Sequence, residues 1–269
     1  MQYTLKTLAA AAALTVAGIA NAAPVTIATG ESLNNLKLDG GTGALSFSSS
    51  LITALNVGKI VITEVAPATV NETVVTTPPF GSTRTGATAT APIGSVTLDD
   101  TTASVLKVST SGGALLKADP LAGVSLGGTL AVTNIAVDLT TKRIYASITG
   151  NFTGVANNTY AAYDNTEITT KDNFYLWDYA SLTGPTVVNA AGTYTNAITG
   201  LTITTDGYKH FVSALRLYEL GASTLQGVTN FGSINSTINV SAVPEPSTYA
   251  MALAGLALVG VAARRARKA

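Results

Sequence analysis

Between residues 23 and 242, strand-length runs of β-branched residues follow one another, broken by Gly, Asn and Asp, and apolar residues seldom keep helical spacing. This pattern constrains the fold more than any other feature. β-branched side chains suit a pleated, half-buried surface, and Gly and Asn supply the turns between strands. Thr alone occurs 42 times in the 269 residues. Residues 58–65, 95–98 and 104–108 read as strands. Residues 129–139 and 143–149 read as a hairpin bent at Thr140-Thr141-Lys142, with Ile135, Val137 and Leu139 facing the same core as Ile144, Ala146 and Ile148. Residues 201–204 run into Asp206-Gly207, a strong turn signal. Residues 233–240 alternate, with Ile234, Ser236, Ile238 and Val240 on one face. The expectation is an all-β, antiparallel, sandwich-like domain.

Three segments stand apart. Residues 67–92 hold Pro67, Pro78, Pro79 and Pro92, and proline disfavours a central strand, so this stretch is expected as a long loop or linker. Residues 156–172 read as a second polar loop. Residues 209–220 place Phe211, Leu215 and Tyr218 at helical spacing, and a short helix and a strand both remain open there. No internal repeat supports a solenoid.

Both ends of the chain point to membranes. At the N-terminus, Met1 and Lys6 precede 13 uncharged residues, 8–20, and Ala20-Asn21-Ala22 fits the small-x-small cleavage pattern. Residues 1–22 thus read as a signal peptide that engages an export translocase and a signal peptidase, with the mature chain starting near Ala23. At the C-terminus, residues 247–263 carry no charge over 17 positions, the short end of the range for a spanning helix. Arg264, Arg265, Arg267 and Lys268 follow and act as a stop-transfer cluster that stays on the cytoplasmic side of the inner membrane.

Before that span stands Val243-Pro244-Glu245-Pro246-Ser247, where two prolines hold the backbone extended. The order of this motif, a short apolar span and Arg-Arg-x-Arg-Lys resembles the PEP-CTERM sorting signal of bacterial surface proteins, a module also labelled the ice-binding protein C-terminal domain. The resemblance covers residues 243–269. It implies a Gram-negative host whose exosortase recognises Val243, Pro244, Glu245 and Pro246 and processes the anchor. It also implies association with exopolysaccharide or biofilm matrix. It implies nothing about the fold of residues 23–242.

Inside the exported region, Gly123-Val124-Ser125-Leu126-Gly127 fits the nucleophile-elbow pattern, and the lone His210 lies downstream. That chemistry needs a strand, a sharp turn and then a helix, but the residues after Gly127 read as a strand. The aromatic run Phe174 to Tyr179 would place Tyr175, Trp177 and Tyr179 on one face of a strand, as candidate sugar contacts or as core. Asp164, Glu167, Asp172 and Asp178 match no calcium-loop spacing and read as solvated charge, and Asp99-Asp100 reads as a turn. Threonine pairs at 83/85, 88/90 and 202/204 are too irregular for the flat repeated array that ice binding needs.

The absence of cysteine excludes a disulfide framework, and one histidine excludes most zinc and iron sites. No catalytic residue, metal or cofactor is expected, and the chain is expected not to be an enzyme. Fifteen Lys and Arg balance 15 Asp and Glu, but unevenly: residues 23–242 hold 10 bases and 14 acids, flanked by two basic ends. That distribution argues against nucleic acid as a partner.

Overall fold

The structure, a computed structural model, describes residues 23–79, 81–125, 127–151, 170–243, 251, 253–258 and 264. The elements are β1 (Pro24–Ala28), β2 (Ser32–Leu33), β3 (Leu36–Phe47), α1 (Ser49–Val57), β4 (Ile60–Val65), β5 (Thr69–Thr77), β6 (Gly81–Asp99) and β7 (Val105–Thr110), then β8 (Gly113–Ala118), β9 (Gly128–Asp138), β10 (Arg143–Asn151), β11 (Lys171–Thr183), β12 (Gly192–Ile203), α2 (Thr205–Leu215), α3 (Glu219–Gln226) and β13 (Gly232–Ala242). Every pairing between these strands is antiparallel.

The pairings form one sheet rather than the two of a sandwich, and its hydrogen bonding returns on itself in the order β6-β3-β13-β12-β11-β10-β9-β7-β6. Closure comes from two strands that change partner along their length. β9 pairs with β8 over Gly128–Thr133 and with β7 over Ala136–Asp138. β6 pairs with β5 up to Thr90 and with β7 from Ile93. A closed circuit removes exposed edges from its own strands, but β4 and β5 lie off it. Among the described residues β4 pairs only with β8, and β5 only with β6, so a seam separates their outer edges.

The stretch 67–92, expected as a loop or linker, is mostly β5 and the first two-thirds of β6. Pro67, Pro78 and Pro79 fall in the turns before and after β5. Of these four prolines only Pro92 lies within a strand. Its carbonyl accepts from the Ser111 N–H at 3.0 Å, so its donorless nitrogen shares that edge, at the place where β5 has ended and β7 begins. The missing N–H falls where no ladder bond is due.

The expected hairpin of residues 129–149 is present as β9 and β10, in the register Arg143↔Asp138 and Ile144↔Val137. Ile144, Ala146, Ile148 and Val137 are buried together, with Ile135 and Leu139 packed against them. β13 buries Ile234, Ile238 and Val240 as the alternation requires.

Asp206-Gly207 does not form the expected turn. It opens α2, because the Thr204 hydroxyl accepts from the Gly207 N–H at 3.0 Å and caps the helix. The open segment 209–220 therefore divides between α2 and α3, with Arg216 in the left-handed region ending the first. α1 has no counterpart among the sequence expectations. It starts where the Ser48 hydroxyl accepts from the Leu51 N–H at 3.1 Å, and it buries Leu51, Ile52, Ala54 and Leu55.

The interior has two poles. A large apolar cluster includes Leu55, Leu130, Ile144, Leu176 and Leu201 and is closed by helix residues such as Phe211, Leu215 and Leu225. A smaller cluster of Ile27, Leu38, Val96, Leu98, Ile238 and Val240 contains no helix residue.

Candidate functional site: the tethered pole and the outer face of β11

Both ends of the described body leave at the second pole. β1 enters through Ala23, whose backbone N–H donates to the Asp100 carboxylate at 3.1 Å. Strand pairing starts one residue later, at Pro24↔Asp99. β13 leaves through Ala242, opposite Leu36, and the next N–H, of Val243, donates to the Asn35 carbonyl at 2.8 Å. A cavity of about 210 Å³ lies between these exits, lined by Leu36, Leu98, Asp99 and Val240 among others. Sequence reading did not single out Asn35 or Asp100 as anchors, because each acts through a contact far along the chain.

Beyond Val243, the described residues Met251, 253–258 and Arg264 are helical. Met251 and Leu256 are 74% and 70% exposed, so these side chains are not packed on the body. No helix among the described residues is long and apolar enough to cross a membrane. Pro244, Glu245, Pro246, Arg265, Arg267 and Lys268, together with Ala20 and Ala22, lie outside the described residues.

The aromatic run falls on β11 but does not share one face. Tyr145↔Tyr175 and Ile144↔Trp177 are successive pairs, so Leu176 is an extra residue that bulges the strand. The alternation shifts there. Trp177 and Tyr179 turn inward, at 4% and 5% exposure. Trp177 lines an apolar interior cavity of about 90 Å³, and its indole N–H has no hydrogen-bond partner among the described residues. Trp177 and Tyr179 are core residues, not surfaces for a sugar.

Tyr175 stays outside. Its ring lies 5.7 Å from that of Tyr145, the Arg143 guanidinium stands 4.8 Å above it, and its hydroxyl donates to Asp178. Burial and the Asp178 carboxylate push the Tyr175 phenol up. The hydrogen bond to Tyr145, with the charge of Tyr175, raises Arg143. Lys107 lies 5.8 Å from the Tyr145 ring. The register aligns Lys107, Asp138, Arg143 and Asp178 across four strands, with the tyrosines in the adjoining row. Tyr145 was missed in the sequence because its position beside Tyr175 depends on the β11 bulge.

The nucleophile-elbow pattern takes a different role. Gly123 and Gly127 both have φ near +70°, and a Cβ on Gly127 would clash with the Ala118 carbonyl. The Ser125 hydroxyl donates to the Arg216 carbonyl and accepts from the Gly127 N–H at 3.1 Å. Strand β9 follows, as read from the sequence. His210 contacts Lys171 at 3.1 Å and meets the Phe174 ring edge-on. Burial, with Lys171 nearby, pushes its imidazole down.

Of the acidic residues singled out, Asp164 and Glu167 lie outside the described residues. Asp172 accepts from Ser147 at 2.7 Å. Among the described residues no three His, Cys, Asp or Glu are grouped to hold a metal. Thr88 and Thr90 alternate with Ala87, Ala89 and Ala91, whereas a register shift against β5 between Thr73 and Val74 separates them from Thr83 and Thr85, so the pairs do not form one regular array.

The family profile described as the PEP-CTERM protein-sorting motif matches residues 242–268. No curated protein matches the sequence. Among solved structures, the heme binding protein HtaB from Corynebacterium glutamicum is 14% identical with a TM-score of 0.41, over 81% of this chain and 98% of that one. The C-terminal domain of HtaA from the same organism is 10% identical with a TM-score of 0.37, over 75% of this chain and 99% of that one.

Proposed function

We propose that the chain is an exported bacterial surface protein, released from the inner membrane of a Gram-negative cell by an exosortase that reads its C-terminal motif. The observation that carries this reading is the sorting-motif match at residues 242–268. The placement of the tail supports it. Among the described residues, the last hydrogen bond between tail and body is that of Val243, immediately before Pro244, and Met251, Leu253, Leu256 and Leu258 beyond it are exposed. In this reading the signal peptide is cut after Ala22, residues 247–263 hold the chain in the bilayer, and Arg264, Arg265, Arg267 and Lys268 stop transfer. The product joins the cell surface or extracellular matrix without a catalytic step. Replacing Pro244, Glu245 and Pro246 by Ala, Gln and Ala leaves the protein in the inner-membrane fraction, as followed by fractionation and blotting. Unchanged release would overturn the reading.

A second reading adds a ligand, exopolysaccharide. It is favoured by the outward Tyr145 and Tyr175 side by side, flanked by Arg143 and Asp178, which suit the apolar face and hydroxyl rim of a sugar. Retention of the protein on polysaccharide from its host drops at least tenfold in the Tyr145→Ala/Tyr175→Ala double variant and persists in Trp177→Phe. Equal retention of the double variant and the parent removes this ligand.

A further inference from the structure

We propose that the outer edge of β5 pairs, antiparallel and about a two-fold axis, with the same edge of a second copy of this chain. β5 and the first residues of β6 form a two-stranded arm in the register Thr69↔Thr90 through Thr77↔Gly81. The arm is rooted in the body: Ala68 is buried and Val70 packs against the large cluster. Arg84 clamps its base, donating to the Ile60 carbonyl at 2.9 Å and to Glu72 at 2.7 Å. The Asn56 amide donates to the Arg84 carbonyl at 2.8 Å, so α1 holds the β6 side. From Asn71 onward every β5 residue is exposed, and Val74 and Val75 are each 50% exposed. Two strands open on both faces are marginal in water, and a third strand is what such a ribbon lacks.

The edge also lacks the usual guards. Thr-Val-Asn-Glu-Thr-Val-Val-Thr-Thr contains neither lysine nor proline, the residues that keep natural edges from recruiting strands. Its one charge, Glu72, is already neutralised by Arg84. A charged partner finds nothing complementary here. An uncharged, β-branched strand does, and the chain itself carries that strand. Two-fold antiparallel pairing about Val75 sets Val74 opposite Thr76 and Thr73 opposite Thr77, and joins two arms into the sheet β6-β5-β5-β6. In such a pairing one residue lies on the axis and faces its own copy.

The absence of cysteine makes the test clean. Asn71→Cys, Thr73→Cys and Val75→Cys are introduced singly into the full chain in cells that export it and treated with a short bis-maleimide. Asn235→Cys serves as the control, exposed on a strand hydrogen-bonded on both sides. The expected result is a covalent dimer at twice the chain mass that is several-fold more abundant at one β5 position than at its neighbours. Adding Val74→Lys reduces it at least fivefold. No dimer at any β5 position, equal dimer at position 235, insensitivity to Val74→Lys, or adducts only with a protein of another mass would each overturn the proposal.

Discussion

Asp99 and Asp138 solve the same problem at two places. Each ends a strand and is followed, two and three positions on, by a pair of threonines. The Asp99 carboxylate accepts from the Thr101 N–H at 3.0 Å, the Thr101 hydroxyl at 2.7 Å and the Thr102 N–H at 2.8 Å. The Asp138 carboxylate accepts from the Thr140 N–H at 2.8 Å, the Thr140 hydroxyl at 2.6 Å and the Thr141 N–H at 3.0 Å. Three donors to the charged form favour it. The Thr102 amide, then the Thr101 hydroxyl, hold Asp99 at about 2 against an ordinary 3.8. At Asp138 burial pushes upward, but the donors led by the Thr140 hydroxyl outweigh it, and the group is lowered. A carboxyl lowered on folding stabilises the fold above its unfolded pKa, and that contribution is lost as pH falls through the folded value. Asp99→Asn therefore lowers the melting temperature at pH 7, and the gap to the parent closes between about pH 4 and pH 2 in thermal scans. A gap unchanged at pH 2 would show that the carboxylate charge is not what holds this turn. The aspartate turn was legible in the sequence because Asx turns are local. The roles of Gly123, Ser125 and Gly127 were not, because the Arg216 carbonyl that receives Ser125 comes 91 residues later.

At the scale of elements, the β9–β10 hairpin and β13 were legible, since period-two burial is written directly in Ile144, Ala146, Ile148, Ile234 and Ile238. β5 and β6 were obscured by prolines, three of which lie in turns and one at a change of partner. α1 was hidden because Ile52, Thr53 and Val57 are poor helix formers, and only Ser48 and Gly58 mark its ends. The β11 bulge left no sequence mark, and it decides which aromatics are core. Trp177→Ala accordingly costs about 3–5 kcal/mol in denaturant unfolding, whereas Tyr175→Ala, on the solvent side, costs about 1 kcal/mol or less. Similar losses from the two variants would mean that the shift at Leu176 is not maintained in solution.

For the whole molecule, the described body has one polarity. Ala23 and Val243 are both anchored at the pole without helices, while α1, α2 and α3 close the other. The expectation of two stacked sheets failed because the long β6 and β9 each serve two neighbours in turn along one edge, which lets one sheet close. Closure is a property of the assembled chain that no local window records.

The position of β13 has a mechanical consequence. It is hydrogen-bonded along its length to β3 on one side and to β12 on the other, and the tail emerges from its end. β6 carries the arm at one pole and reaches Asp99 at the other. Tension between the tail and the arm therefore runs parallel to the strands. Such a pull must shear many ladder bonds together rather than peel them one at a time, so the body resists stretching along that direction.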